Sequence, residues 1–140
     1  MSHELDVFIK TGKDLSEIAV ELEEIMTIRF LLVHNDIGER IFRYTGLGLL
    51  IEVTDQHGFE PDGRIDFPKF PIHFSVEIAD RSAPAEVWER VLYDMGYYLF
   101  YMIAWRTGCH CILLDDLQAL LLESPGSAVP PPEYLKKRST

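Results

Sequence analysis

Leu5-Asp6-Val7-Phe8-Ile9 is rich in β-formers and alternates in the manner of a strand, and Thr11-Gly12 ends it, so the pattern predicts a first strand. Asp14 then reads as an N-cap with Glu17 at the third helical position, a capping box in which each side chain satisfies a backbone N–H of the other. Leu15, Ile18, Ala19, Leu22, Ile25 and Met26 follow at offsets of 3, 4, 7, 10 and 11, the spacing of one buried helical face. From Phe30 to Ile78 the pattern changes to short apolar runs broken by turn residues. Candidate strands lie at Arg29 to Val33, Ile41 to Tyr44, Leu47 to Val53 and Pro71 to Ala79, an antiparallel signature. In the last of these, core-facing Ile72, Phe74 and Val76 would turn His73 to solvent. The turn formers of Asp55 to Gly63 and the prolines of Phe67-Pro68-Lys69-Phe70-Pro71 predict a long exposed loop.

Pro84, with Ser82 as a cap, can open a second helix that carries Val87, Trp88, Val91, Leu92, Met95, Tyr98, Leu99, Met102 and Ile103 on one face, with Gly108 closing it. Cys109 to Leu114 predicts a short buried strand, Asp116 to Leu122 a short helix, and the Pro-rich end a loose tail. The order suits an α+β fold: a mainly antiparallel sheet with two principal helices on one face, for which a ferredoxin-like split βαβ arrangement is one topology. The length of 140 residues fits one domain, expected over 1–123, with 124–140 as its flexible tail. Tyr97 to Trp105 is apolar or aromatic on every side of the helix, more than one sheet can cover. Either the C-terminal segment folds over it, or Tyr97, Tyr101 and Trp105 meet another subunit in a homodimer. At nine residues it is far short of the roughly 20 of a membrane span, so no membrane partner is expected.

The formal charge of −10 is unevenly spread, since Met1 to Glu123 holds 22 acids against 10 bases while Ser124 to Thr140 is basic. Such a surface repels phosphate backbones, which disfavours nucleic acid and favours a basic protein partner. Two cysteines only two positions apart are no disulfide framework, and the start lacks a basic region followed by a long apolar run, so a cytoplasmic location is the expectation.

Cys109-His110-Cys111 offers zinc ligands, but alternation in a strand puts the thiols on one face and the imidazole on the other, and paired CxxC elements are missing. The two thiols read as structural. His57 and His73 with Asp55, Asp62, Asp66 and Glu77 contain the parts of an acid/base pair or a metal site, but no spacing enforces their approach. HExxH, GxSxG and the P-loop are absent, and Gly46-Leu47-Gly48 precedes a strand, so it reads as a turn. No catalytic residue, metal or cofactor is expected. The acidic features are stronger. Glu17, Glu21 and Glu24 form a like-charged stripe along the first helix, and Glu52, Asp55, Glu60, Asp62 and Asp66 gather on a strand end and the long loop.

The opening strand Leu5 to Ile9, the acidic helix after Asp14, the Gly46 to Val53 strand and the Leu113-Leu114-Asp115-Asp116 step resemble small acidic α+β immunity proteins that bacteria pair with polymorphic or contact-dependent toxins. The resemblance carries over no residue roles. It implies a non-enzymatic inhibitor that covers the active site of a basic toxin domain, with charge complementarity speeding association. Glu17, Glu21, Glu24, Asp55, Glu60 and Asp62 are the contact candidates for that partner. Two other readings remain: a small-ligand-binding domain or enzyme with a pocket between sheet and second helix, lined by Tyr97, Tyr101 and His73, or a structural adaptor that dimerises through the aromatic helix.

Overall fold

A computed structural model describes residues 3–63 and 65–126. The elements are β1 (Glu4–Lys10), α1 (Leu15–Met26), β2 (Leu31–His34), β3 (Arg40–Gly46), β4 (Leu49–Thr54), β5 (Ile72–Ile78), α2 (Ala85–Thr107), β6 (His110–Asp115) and β7 (Ala119–Ser124). They form one seven-stranded sheet of order β2-β3-β4-β5-β1-β6-β7, antiparallel at every pairing. The chain is therefore α+β, with two helices on a wholly antiparallel sheet. The crossover β5-α2-β6 straddles β1, which is a split βαβ unit. The other crossover leaves β1 through α1 and lands on the sheet edge at β2, so a three-strand meander stands where a plain ferredoxin-like fold has one strand.

Strand alternation divides the side chains between two faces. Leu5, Val7, Ile9, Ile51, Val53, Phe74, Val76, Cys111 and Leu113 face the helices and join Ile18, Leu22, Leu92, Leu99, Phe100 and Ile103 in one core. Asp14 and Glu17 form the expected capping box on α1, with Glu17 N–H donating to Asp14 Oδ1 at 2.8 Å. Gly108, at φ 69°, ends α2 in the left-handed conformation that glycine adopts without steric cost. Pro84 itself stands at the N-cap of α2, and Ser82 does not cap the helix but donates its N–H to Asp80 Oδ1 at 3.0 Å. Gly96 lets α2 approach β1 closely: a Cβ there would come within 2.2 Å of Leu5 Cδ1.

Two expectations need correction. The segment after Asp116 is not a helix but the edge strand β7. Asp116 and Leu117 both take positive φ, 52° and 63°, and Gln118 N–H donates to Asp115 O at 2.9 Å, so the chain reverses in a primed turn that matches strand twist. The 55–71 segment is a long loop with many exposed positions, as expected, but it does not stand free in solvent. It lies across the second face of the sheet, where Phe67 and Phe70 pack with Phe8, Ile112 and Leu114 in a second core, flanked by Phe59, Ile65 and Leu117. Its prolines keep it out of the sheet while its aromatic residues bury apolar area that β1 and β6 present on that side. The expected tail lies outside the described residues from position 127 on.

Candidate functional site

The acidic residues singled out in the sequence do not converge. Glu17, Glu21 and Glu24 run along α1 on the helix side, whereas Asp55, Glu60 and Asp62 belong to the segment covering the opposite face. Glu17 Oε1 already accepts the Asp14 N–H at 3.3 Å, and Glu21 pairs with Lys13, which relieves part of the predicted like-charge stripe. Glu24, Glu60 and Asp62 are exposed; Asp55 is half-buried.

A different surface joins several grooves on the helix side. The β3–β4 connection is a two-residue turn in which Leu47 and Gly48 both have positive φ, 55° and 75°. A leucine in this conformation costs about 1–2 kcal/mol, and the turn presents it to solvent at 95% exposure. On one side of Leu47 lies an apolar groove of about 220 Å³ walled by Met26, Tyr44, Leu49, Met95, Tyr98 and Met102. On its other side a second groove is walled by Ile78, Val87, Trp88 and Val91, with Asp80 at its edge. Thr27 and Ile28 link the first groove to a third hollow bordered by Val20, Glu23 and Glu24 of α1. The result is a continuous band from α1 across the turn to α2. Val20, Val87, Val91 and Tyr98 are 44–55% exposed along it. The glycines of Gly46-Leu47-Gly48 announce the turn, but the grooves beside it are formed by residues distant in sequence and have no local signal.

The aromatic residues of α2 separate. Tyr101 is 3% exposed and belongs to the core, so it offers nothing to another subunit; Tyr97 is half-buried, and Trp105 is 44% exposed. His73 lies on the sheet face away from α2, so Tyr97, Tyr101 and His73 do not wall a common pocket. Cys111 is buried on the helix face, where burial pushes its thiol well up, and His110 points to the other side and bonds Glu123 at 2.6 Å.

The second face holds a buried polar cluster that sequence spacing did not suggest. Antiparallel pairing sets Asp6 opposite Ser75 and Phe8 opposite His73. His73 is therefore not a surface residue: its side chain is 14% exposed and its Nε2 lies 2.7 Å from Oδ1 of Asp6, which is fully buried. Phe8 stacks on the imidazole with ring centres 4.6 Å apart. His57 closes the arrangement from the covering segment. Its Nε2 donates to the Phe70 carbonyl at 2.8 Å and its Nδ1 accepts the Phe59 N–H at 3.0 Å, so this neutral imidazole pins the cover and burial lowers its basicity.

Burial dominates the protonation of the cluster. It pushes the Glu4 carboxyl up to about 8, helped by Asp6, and the Asp6 carboxyl up to about 6, while His73 is pushed down to about 4. The His73–Asp6 contact thus has ion-pair geometry but a neutral imidazole at neutral pH, which makes it a hydrogen bond to a carboxylate. The Glu4 carboxyl and the Leu117 amide approach Asp6 and favour its charged form, yet Oδ2 makes no well-formed hydrogen bond. Glu4, Asp6 and His73 can each aim one ligand atom at a common point, since those atoms all lie within 4.8 Å of one another. In comparisons with protein-family models, curated proteins and solved structures, nothing matches this chain.

Proposed function

We propose that the chain is a non-enzymatic protein-binding module of the immunity type, which seats a basic partner protein on the band centred at Leu47. The observation that carries this reading is Leu47 itself: a large apolar side chain held 95% exposed in a disfavoured backbone conformation between two apolar grooves. Strain held at an exposed position is a common mark of a site whose geometry serves a contact. Exposed apolar area flanked by polar residues marks protein contact surfaces. The grooves along the band, about 220, 360 and 490 Å³, are open troughs rather than enclosed cavities, which suits protruding side chains of a partner better than a ligand that must be mostly enclosed.

Charge supplies the partner's chemistry. Glu23, Glu24 and Asp80 border the band against Arg29, the one lining cation among the described residues, and the chain as a whole carries −10, so a basic surface with an apolar knob is the complement. This supports the inhibitor role implied by the resemblance to immunity proteins, with Glu24 the most favourably placed of the original acidic candidates. Capture from the native cell with wild type and L47D side by side tests it. A basic protein retained by wild type, weakened by E24K and lost with L47D is the expected outcome, with circular dichroism unchanged. Equal capture by wild type and L47D contradicts it.

A further inference from the structure

We propose that Glu4, Asp6 and His73 form a binding site for one divalent transition-metal cation, of the zinc or manganese class, beneath the segment that covers the second face of the sheet. The cluster supplies one imidazole nitrogen and two carboxylates from adjacent strands, β1 and β5, with ligand atoms no more than 4.8 Å apart. Tetrahedral zinc with ligands near 2.1 Å holds them about 3.4 Å apart, so the widest separation contracts by up to about 1.4 Å when the ion enters. His73 Nε2 and Asp6 Oδ1, hydrogen-bonded at 2.7 Å, part by about 0.7 Å and exchange that bond for the ion.

The independent observation is Asp6 Oδ2, buried with the rest of its residue and without a well-formed hydrogen bond, although the Glu4 carboxyl and the Leu117 amide stand near Asp6. A buried carboxylate oxygen left in this state costs about 1–3 kcal/mol or more, and a cation removes that cost directly. No Lys or Arg forms an ion pair with Glu4 or Asp6 among the described residues, while Asp115 and Asp116 add further negative charge close by. The local field therefore favours a cation. Mixed nitrogen and oxygen donors without thiolate suit zinc, manganese or iron, and the imidazole argues against magnesium and calcium. The Phe8 ring stacked on His73 fixes the imidazole plane, which leaves rotation of the Glu4 side chain as the main adjustment.

The test is calorimetric titration of the untagged, chelator-treated full chain with zinc, manganese and magnesium chlorides, accompanied by thermal melts. One zinc or manganese ion per chain, a melting temperature raised by several degrees and a weak or absent response to magnesium are expected. E4Q, D6N and H73Q should each weaken binding by about tenfold or more. H3Q and H110Q, which touch the separate His3–Asp115 and His110–Glu123 pairs, should leave it intact. E4Q keeps the test decisive if D6N fails to fold, because Glu4 lies at the partly exposed start of β1. Absence of 1:1 binding, or binding undiminished in E4Q and H73Q, overturns the proposal. Loss confined to H3Q or H110Q does the same.

Discussion

The two faces of the sheet are built on opposite terms. The helix face is almost wholly aliphatic and aromatic, closed by α1 and α2, and its residues from Leu5 to Leu113 form one contiguous core. The second face mixes Phe8, Phe67 and Phe70 with Asp6, His73 and Glu4, and is closed by a segment whose described residues hold one 3₁₀ turn, Phe67–Lys69. Packing on the first face is apolar apart from the buried Tyr101 hydroxyl and the Cys111 thiol, and it asks for no particular chemistry. On the second face carboxylates were kept inside at an energetic cost, which points to a role other than holding the sheet together. Stability and candidate chemistry are thus separated by one layer of strands.

The largest expected effect breaks the first face. Phe74→Ala removes a fully buried ring from the helix-side core and should cost about 3–5 kcal/mol in chemical denaturation. Gly96→Ala should cost about 1–3 kcal/mol despite alanine's better helix propensity, because its Cβ would collide with Leu5. On the second face, Phe67→Ala should instead raise hydrogen exchange across 55–71 well before the sheet opens, since that segment closes as a local unit.

A pH titration sharpens the contrast between the faces. The carboxyls of Glu4 and Asp6 are pushed up, so the folded state of the metal-free protein holds protons that the unfolded chain releases, and stability falls as pH rises from about 4.5 to about 8. His73 is pushed down to about 4, so it acts oppositely and costs stability as pH falls from 6.5 to about 4. Between pH 6.5 and 8 only the carboxyl effect remains. Melting curves across that window should decline with pH in the wild type and decline less in E4Q. The smallest effect is at the exposed turn, where Leu47→Gly relieves backbone strain and should raise stability by up to about 1–2 kcal/mol while weakening partner capture.

What the sequence made legible was local. The Asp14–Glu17 capping box, the 3.6-residue repeat of α1 and the glycine after α2 are short-range signals, and each element stands where they predict. Strand β7 was hidden because its turn uses Asp116 and Leu117 at positive φ in place of the asparagine or glycine that announces a hairpin. The Asp6–His73 pair was hidden for another reason. The two residues stand 67 positions apart, and only the register of β1 against β5 brings them together. One clue lay in β1 itself: Phe8 shares a strand face with Asp6, and an aromatic residue on the supposedly solvent side implies a cover. The acidic stripe on α1 and the acidic cluster of the 55–71 segment are legible as two groups, but that they lie on opposite faces of the sheet, and so cannot serve one contact, is not.

Hydrogen–deuterium exchange on the complex with the captured basic partner tests the central claim most directly. Protection should appear on residues 20–28, the 46–49 turn and 87–98 of α2, with 55–71 unchanged from the free protein. Protection confined to 55–71, with the Leu47 turn still exchanging freely, would contradict the account.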